Sequence, residues 1–371
     1  MERTLGLVGG VLVVLAAATL VVQLLKRRTD GSIDPAIVET FRRRVRAWWI
    51  LTAVLAAAWL IGITATVVLF GLMAFWALRE FITLTPTRPG DHRTLFWVFF
   101  LFTPLQFVLV GLRLYGLYAI LIPVYVFLLI PARIAMSGDP KRFLERTAKI
   151  QAGILICVYC LSYAPALMTL RIPRGVGELP WRFLKIEPMP AAPANPGMTP
   201  PGSSEGPAEP DPDQRPAPNA GASLALDPEA GPRLLFFFIL MVQLSDALQY
   251  AWAQIPRKHV IVPTIHPTKT WEGLLGGTAS VTLIGAALWW ATPFEYWVAG
   301  LMSAVIALMG FAGSLTMSAI KRDRGVKDYG TLVEGHSGVL DRIDSICFAA
   351  PVFFHFTRYY LILKGVLEPI V

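Results

Sequence analysis

Between Ser318 and Asp344 the chain interleaves five basic residues (Lys321, Arg322, Arg324, Lys327 and Arg342) with five acidic ones (Asp323, Asp328, Glu334, Asp341 and Asp344) and one histidine, His336. Basic side chains suit the oxygens of a polyphosphate, and neighbouring carboxylates suit a hard divalent cation. Gly330, Gly335 and Gly338 let the backbone turn tightly and approach a ligand closely. Asp341 and Asp344 stand three apart and would share one helix face. These residue types predict a metal-dependent reaction on a phosphorylated molecule. The plainer alternative is a solvated loop whose charges anchor the ends of membrane spans.

A second group lies upstream. Asp246 falls in the last third of an apolar run from Leu234 to Ala253. A carboxylate at membrane depth is costly and marks a functional site facing a bundle interior; the alternative is a carboxylate just clear of the lipid, hydrogen-bonded by Ser245 or Gln249. Beyond it, prolines keep the Pro263–Gly273 segment from extending the helix. Lys269 and the hydroxyls of Thr268 and Thr270 could meet phosphate oxygens there, helped by the first amides of the next helix. An ordinary basic loop is the competing reading.

The downstream stretch resembles the signature of the phosphatidate cytidylyltransferases, or CDP-diacylglycerol synthases. Ser318, Lys321-Arg322, Lys327-Asp328, the Gly335-His336-x-Gly338 turn and Asp341-Arg342-x-Asp344 carry the likeness. The upstream group is similar to the same family's at Ser245, Asp246, Tyr250, Lys258, His259, Pro263, Ile265, Pro267, Lys269, Thr270, Trp271, Glu272 and Gly273. Both motifs occur in the family's order, from Ser245 to Asp344. The resemblance implies that CTP and phosphatidate give CDP-diacylglycerol and pyrophosphate, with Mg²⁺ as cofactor. It implies metal carboxylates at Asp341 and Asp344, with Asp328 and Asp246 next. Lys321, Arg322, Lys327, Arg342 and Lys269 would neutralise phosphates, while Ser318, Thr270, Gly335 and Gly338 would line the substrate. His336 would donate to a phosphate or hold its turn. The chain departs from the family where an Asp and a Glu usually precede the signature serine: Ser314 and Met317 stand there. Glu334 replaces a proline and adds a carboxylate. A divergent member is the reading, and another lipid phosphate as acceptor, a catalytically inactive paralogue and, lower, a transporter remain open.

Something must hold these groups, and composition says what. Of 371 residues 55% are hydrophobic and only 16% charged, with a net charge of +8 and a mean hydropathy of +0.56. That leaves too little polar surface for a soluble protein of this size. Basic loops on the cytoplasmic side explain the charge. No basic patch alternates with aromatics as a nucleic-acid groove would. Cys157 and Cys160 sit inside an apolar run and read as a coincidence of helix spacing.

The fold class expected is an all-α polytopic integral membrane protein with about ten transmembrane helices at some 20 residues per crossing, plus a Pro-rich extramembrane linker. Residues 1–46 form an uncleaved anchor (Leu5–Leu25) and a basic loop, and 47–170 an N-terminal bundle. Within it Ala47–Leu78 crosses twice, turning near Gly62, and the next crossings are Leu95–Leu112, Gly116–Ala132 and Ile150–Leu170. Residues 171–232 are a linker too poor in apolar surface to fold. Residues 233–371 are the catalytic region, crossing at Leu234–Ala253, Leu274–Ala291, Tyr296–Met317 and Ser345–Leu363. This arrangement puts both motif loops on the cytoplasmic side of a bacterial inner membrane, in contact with membrane lipids; a homodimer is a compatible assembly.

Overall fold

The computed structural model describes residues 60–84, 87–181, 225–255, 259–326 and 338–367, with isolated positions before residue 60. Most of the expected span Leu5–Leu25, most of 47–61 and the Pro-rich tract 182–224 fall outside the described residues. Among those described, helices make up the fold and the only extended pairings are isolated bridges. Seven helices among the described residues are long and apolar enough to cross a membrane: α1 Ile63–Thr83, α2 Pro89–Gly111, α3 Tyr115–Ala135, α4 Phe143–Thr169, α5 Ala230–Trp252, α7 Tyr296–Asp323 and α8 Leu340–Leu363. A further helix among the described residues, α6 (Trp271–Ala287), has 17 residues. The protein is a multi-pass membrane protein.

Local chemistry sets the boundaries. Gly62, at φ 123°, breaks the apolar run Ala47–Leu78 and starts α1. Pro104 and Pro123 lack an amide donor, and the turns around them widen to π spacing at Val98–Phe102 and Leu121–Val126. Large apolar side chains such as Phe96, Phe100, Leu128 and Leu283 face outward, which hydrocarbon accommodates and water does not. Inside, Phe237, Phe238, Phe353 and Phe354 are fully buried between α5 and α8.

Successive helices alternate in direction, so the connections sort to two ends. One end gathers the loops after α1, α3, α5 and α7. There Arg146 is buried against Asp91 and reaches Asp139 at 3.3 Å, and Arg88 pairs with Asp139 at 2.7 Å. The Arg88 hydrogen bond and then the Lys141 N–H hold the Asp139 carboxyl below its usual range, with the charges of Arg88 and Arg146 adding to them. At the opposite end buried Lys364 donates to Glu295 at 2.6 Å and to the carbonyls of Leu179 and Gly177 at 2.7 and 3.3 Å. That pins the chain entering the 182–224 tract, whose flanks pair at Pro173 and Leu226.

Candidate active site

The site is built where α7 ends and α8 begins. Lys321 and Arg322 occupy the last turn of α7, where the helix dipole favours cations. The turn closes with Gly325 at φ 71°, Val326 N–H donating to Lys321 O and Gly325 N–H to Arg322 O, both at 3.0 Å. Only glycine takes that left-handed position without strain, and the closure fixes where Lys321 leaves the helix. Asp341 stands in the first turn of α8, the end that favours an anion. The two helices run antiparallel, and Lys321 Nζ donates to Asp341 Oδ1 at 2.7 Å in a largely buried pair.

Deeper along the same seam α7 and α8 approach closely. A Cβ on Gly313 would lie 2.8 Å from the Asp344 carbonyl and 2.8 Å from Phe348 Cβ. Small residues permit such contact between membrane helices, and it carries Asp344 toward α5. Ser345 then links two carboxylates. Its hydroxyl lies 3.2 Å from Asp246 Oδ1 and 3.4 Å from Asp344 Oδ1, while its N–H donates to Asp344 Oδ1 at 2.7 Å. A hydroxyl has one proton, so it serves one carboxylate at a time. Asp246 and Asp344 act on each other electrostatically, and Lys269 and Lys321 are the cations bearing on Asp344. Gln249, one turn beyond Asp246, donates to Ser245 Oγ at 2.8 Å and to the Ala307 carbonyl at 3.3 Å, fixing α5 against α7.

The loop 259–270 closes over this seam. Val260 and Thr270 bridge, with Ile261 N–H donating to Lys269 O and Trp271 N–H to His259 O, both at 3.0 Å. Glu272 accepts from the His259 N–H at 3.1 Å and meets its imidazole. Arg322 Nε donates to Ile265 O at 3.3 Å, tying the loop to the end of α7. Lys269 Nζ sits 4.5 Å over the Phe311 ring, a cation–π contact. His266 accompanies Lys269, Lys321 and Arg322. Burial, then those three charges, pushes its imidazole down to about 4, so it is neutral at pH 7.

Both motifs therefore meet at one end of the bundle. Asp246, Asp344, Asp341, Lys321, Lys269 and Arg322 come together there. Arg342 is exposed one position along, and Gly338 is buried just before α8. Ser318 is buried and donates to the Ser314 carbonyl at 2.7 Å. Thr270 Oγ1 accepts from Gly273 N–H at 3.0 Å and so caps α6. Met317 is fully buried in the apolar core. Lys327, Asp328, Glu334, Gly335 and His336 lie outside the described residues. Sequence reasoning missed Ser345, Gly313 and, on α1, Glu80, whose carboxylate accepts from two amides at the start of α8.

Among the described residues no group of three or more His, Cys, Asp or Glu gathers. The donor set that exists is two aspartates held through one hydroxyl beside phosphate-type cations. It fits Mg²⁺, which binds through one or two carboxylates plus substrate phosphates and water rather than an all-protein cage.

Comparison with known proteins bears on the chemistry. Residues 42–360 match the profile of the cytidylyltransferase family. The chain is 31% identical over 325 residues to the uncharacterized protein YnbB of Escherichia coli (strain K12), covering 85% of this chain and 87% of that protein. It is 38% identical over 135 residues to the phosphatidate cytidylyltransferase of Mycobacterium leprae, and 36% over 124 residues to that of Staphylococcus epidermidis. Those two matches span 42% and 48% of the relatives' own lengths, and 35% and 33% of this chain.

Proposed function

The chain belongs to the cytidylyltransferase family, and on that premise we propose that it transfers the CMP moiety of CTP to phosphatidate. The products are CDP-diacylglycerol and pyrophosphate, formed at the cytoplasmic face of a bacterial inner membrane. The observation that supports this best is the convergence of Asp246, Asp344, Lys321, Lys269 and Arg322, from both motif segments, at one end of the bundle. That end also carries Arg88, Arg133, Lys141, Arg142 and Arg324, which fits the cytoplasmic side by the positive-inside rule.

In this reaction an oxygen of the phosphatidate monoester attacks the α-phosphorus of CTP. A new P–O bond forms, the bond from the α-phosphorus to the bridging oxygen breaks, and pyrophosphate leaves with that electron pair. Catalysis rests on positioning and charge stabilisation. Lys269, Lys321 and Arg322 neutralise phosphate oxygens, and Arg342 and Lys327 are placed by sequence to extend that cradle. Asp246 and Asp344 would hold Mg²⁺, which when bound neutralises phosphate charge as it develops. The Lys321–Asp341 pair holds the ammonium at the seam, so Asp341 orients a cation while Asp344 would serve the metal. The membrane placement suits the acceptor: phosphatidate brings its phosphate to the interface while its acyl chains stay in lipid.

Turnover of α-labelled CTP by purified protein in phosphatidate micelles tests the reading. Labelled lipid product together with released pyrophosphate supports it. Pyrophosphate release that ignores phosphatidate overturns the acceptor assignment, and Ser314 with Met317 would then direct attention to another lipid phosphate. Absence of both product and CTP binding overturns the cytidylyltransferase mechanism for this chain.

A further inference from the structure

The N-terminal bundle reaches the reacting helices through one carboxylate. Glu80 lies in the last turn of α1 and is 7% exposed. Its Oε1 accepts from Val339 N–H at 3.0 Å and its Oε2 from Leu340 N–H at 2.9 Å. The Trp76 indole N–H, one turn back on α1, donates to Oε1 at 3.1 Å. Each carboxylate oxygen thus has a fixed donor. A buried carboxylate in a membrane helix is costly unless it is paired or hydrogen-bonded, and here its partners are the first amides of α8, donors that a helix leaves unsatisfied. The negative charge also suits that end of the helix dipole.

The next residues along α8 give the contact its meaning. Asp341 is the residue after Leu340, and Asp344 comes one turn on. The chain arrives at Val339 from the long charged stretch 327–337, which contributes Lys327, Asp328 and His336 to the motif. A helix whose first turns carry two candidate site residues needs a fixed start if they are to keep one register. Val339, the residue before α8, makes no side-chain cap of its own.

We infer that Glu80 is a positioning residue for the cytidylyltransfer reaction: it clamps the start of α8 so that Asp341 stays on Lys321 and Asp344 stays beside Asp246. The inference rests on the proposed function for its catalytic consequence and on the geometry alone for the clamp. Glu80 does not touch substrate in this arrangement, since its oxygens face two amides and an indole. It also occupies the Val339 and Leu340 amides, so those two donors are not open to a phosphate. The N-terminal bundle therefore sets the geometry of a site whose motifs all lie beyond residue 244.

The test compares full-length wild type, Glu80→Ala and Glu80→Gln in nanodiscs containing phosphatidate. Hydrogen–deuterium exchange of the peptide covering residues 338–346 reads the clamp; kcat and KM for CTP read its consequence. Glu80→Ala should speed exchange in that peptide while leaving α6 unchanged, and lower kcat about 10- to 100-fold, the loss expected for misplacement near 1 Å. The loss should fall mainly on kcat rather than on KM for CTP, because Glu80 reaches the phosphate cradle only through Asp341 and Lys321. Glu80→Gln keeps one acceptor oxygen and should fall between the two in both readouts. Unchanged exchange in the alanine variant overturns the inference, as does a kcat loss no larger than the loss of folded protein. If wild type turns over no CTP, the proposed function fails while the exchange comparison still decides the clamp.

Discussion

Gly313→Ala is the substitution whose consequence can be worked most fully from the structure. The added Cβ would lie 2.8 Å from the Asp344 carbonyl oxygen and 2.8 Å from Phe348 Cβ, where ordinary contact begins near 3.4 Å. Backbone on one side and a Cβ on the other leave no flexible tip to swing away, so α7 and α8 must separate by at least the difference, roughly 0.6 Å. Overpacking of this kind costs about 1–3 kcal/mol, offset by up to about 1 kcal/mol of improved helix propensity over glycine. The folded state should therefore survive. The displacement acts directly on Asp344, and at this scale a loss of about 10- to 100-fold in kcat is expected. Gly310→Ala is the control: its Cβ would meet Ser345 Cβ at 3.4 Å, an ordinary contact on the same helix face. CTP turnover and thermal unfolding of both variants in one detergent provide the assay. Equal activity for Gly313→Ala and wild type, or an equal loss for Gly310→Ala, refutes the assigned role of the seam.

His266 is held at about 4 against an ordinary value of 6.5, so between those values the unfolded chain binds the extra proton and stability falls as pH drops from 6.5 to 4. His266→Gln should reduce the difference in thermal midpoint between pH 7 and pH 5, and a variant that keeps the whole difference contradicts this. Ser345→Ala removes the hydroxyl shared by Asp246 and Asp344 and should raise the Mg²⁺ concentration needed for half-maximal turnover; an unchanged Mg²⁺ titration counts against the pair. Lys321→Met leaves the nearly buried Asp341 carboxylate without its ammonium, a costly loss in a low-dielectric site. It should lower both thermal stability and kcat, whereas the double variant Lys321→Met/Asp341→Leu should regain the stability and not the activity.

Much of this was legible in the sequence, and the misses have physical causes. Hydropathy located the helices but ended them too early where chemistry begins: α7 runs to Asp323 rather than Met317, and α8 starts at Leu340 rather than Ser345. Charged terminal turns are helical yet lie outside an apolar window. Asp341 and Asp344 were expected to act together on one helix face. Three residues advance a helix about 300°, leaving roughly 60° between the two side chains. That offset is enough for Asp341 to meet Lys321 while Asp344 meets Ser345 and, through it, Asp246. Thr270 had a readable role: it precedes the helix and stands three residues before Gly273, the spacing of an N-cap. Glu80 had no local signal, since its partners lie 259 and 260 residues away and only the folded bundle brings them together. The 327–337 stretch carries Lys327, Asp328 and His336, and for these the sequence remains the source of their expected roles.

The central claim is that Asp246 and Asp344 act as one cation-holding unit, and a double-mutant cycle on CTP turnover tests it most directly. Asp246→Asn and Asp344→Asn should each lower kcat by about 10²- to 10³-fold, the scale of losing one charge-stabilising group. The double variant should be no worse than the poorer single one, because groups that serve a single function are strongly non-additive. Multiplicative losses would contradict the claim, since they would mean that the two carboxylates do separate jobs and that the shared contact through Ser345 carries no catalytic meaning.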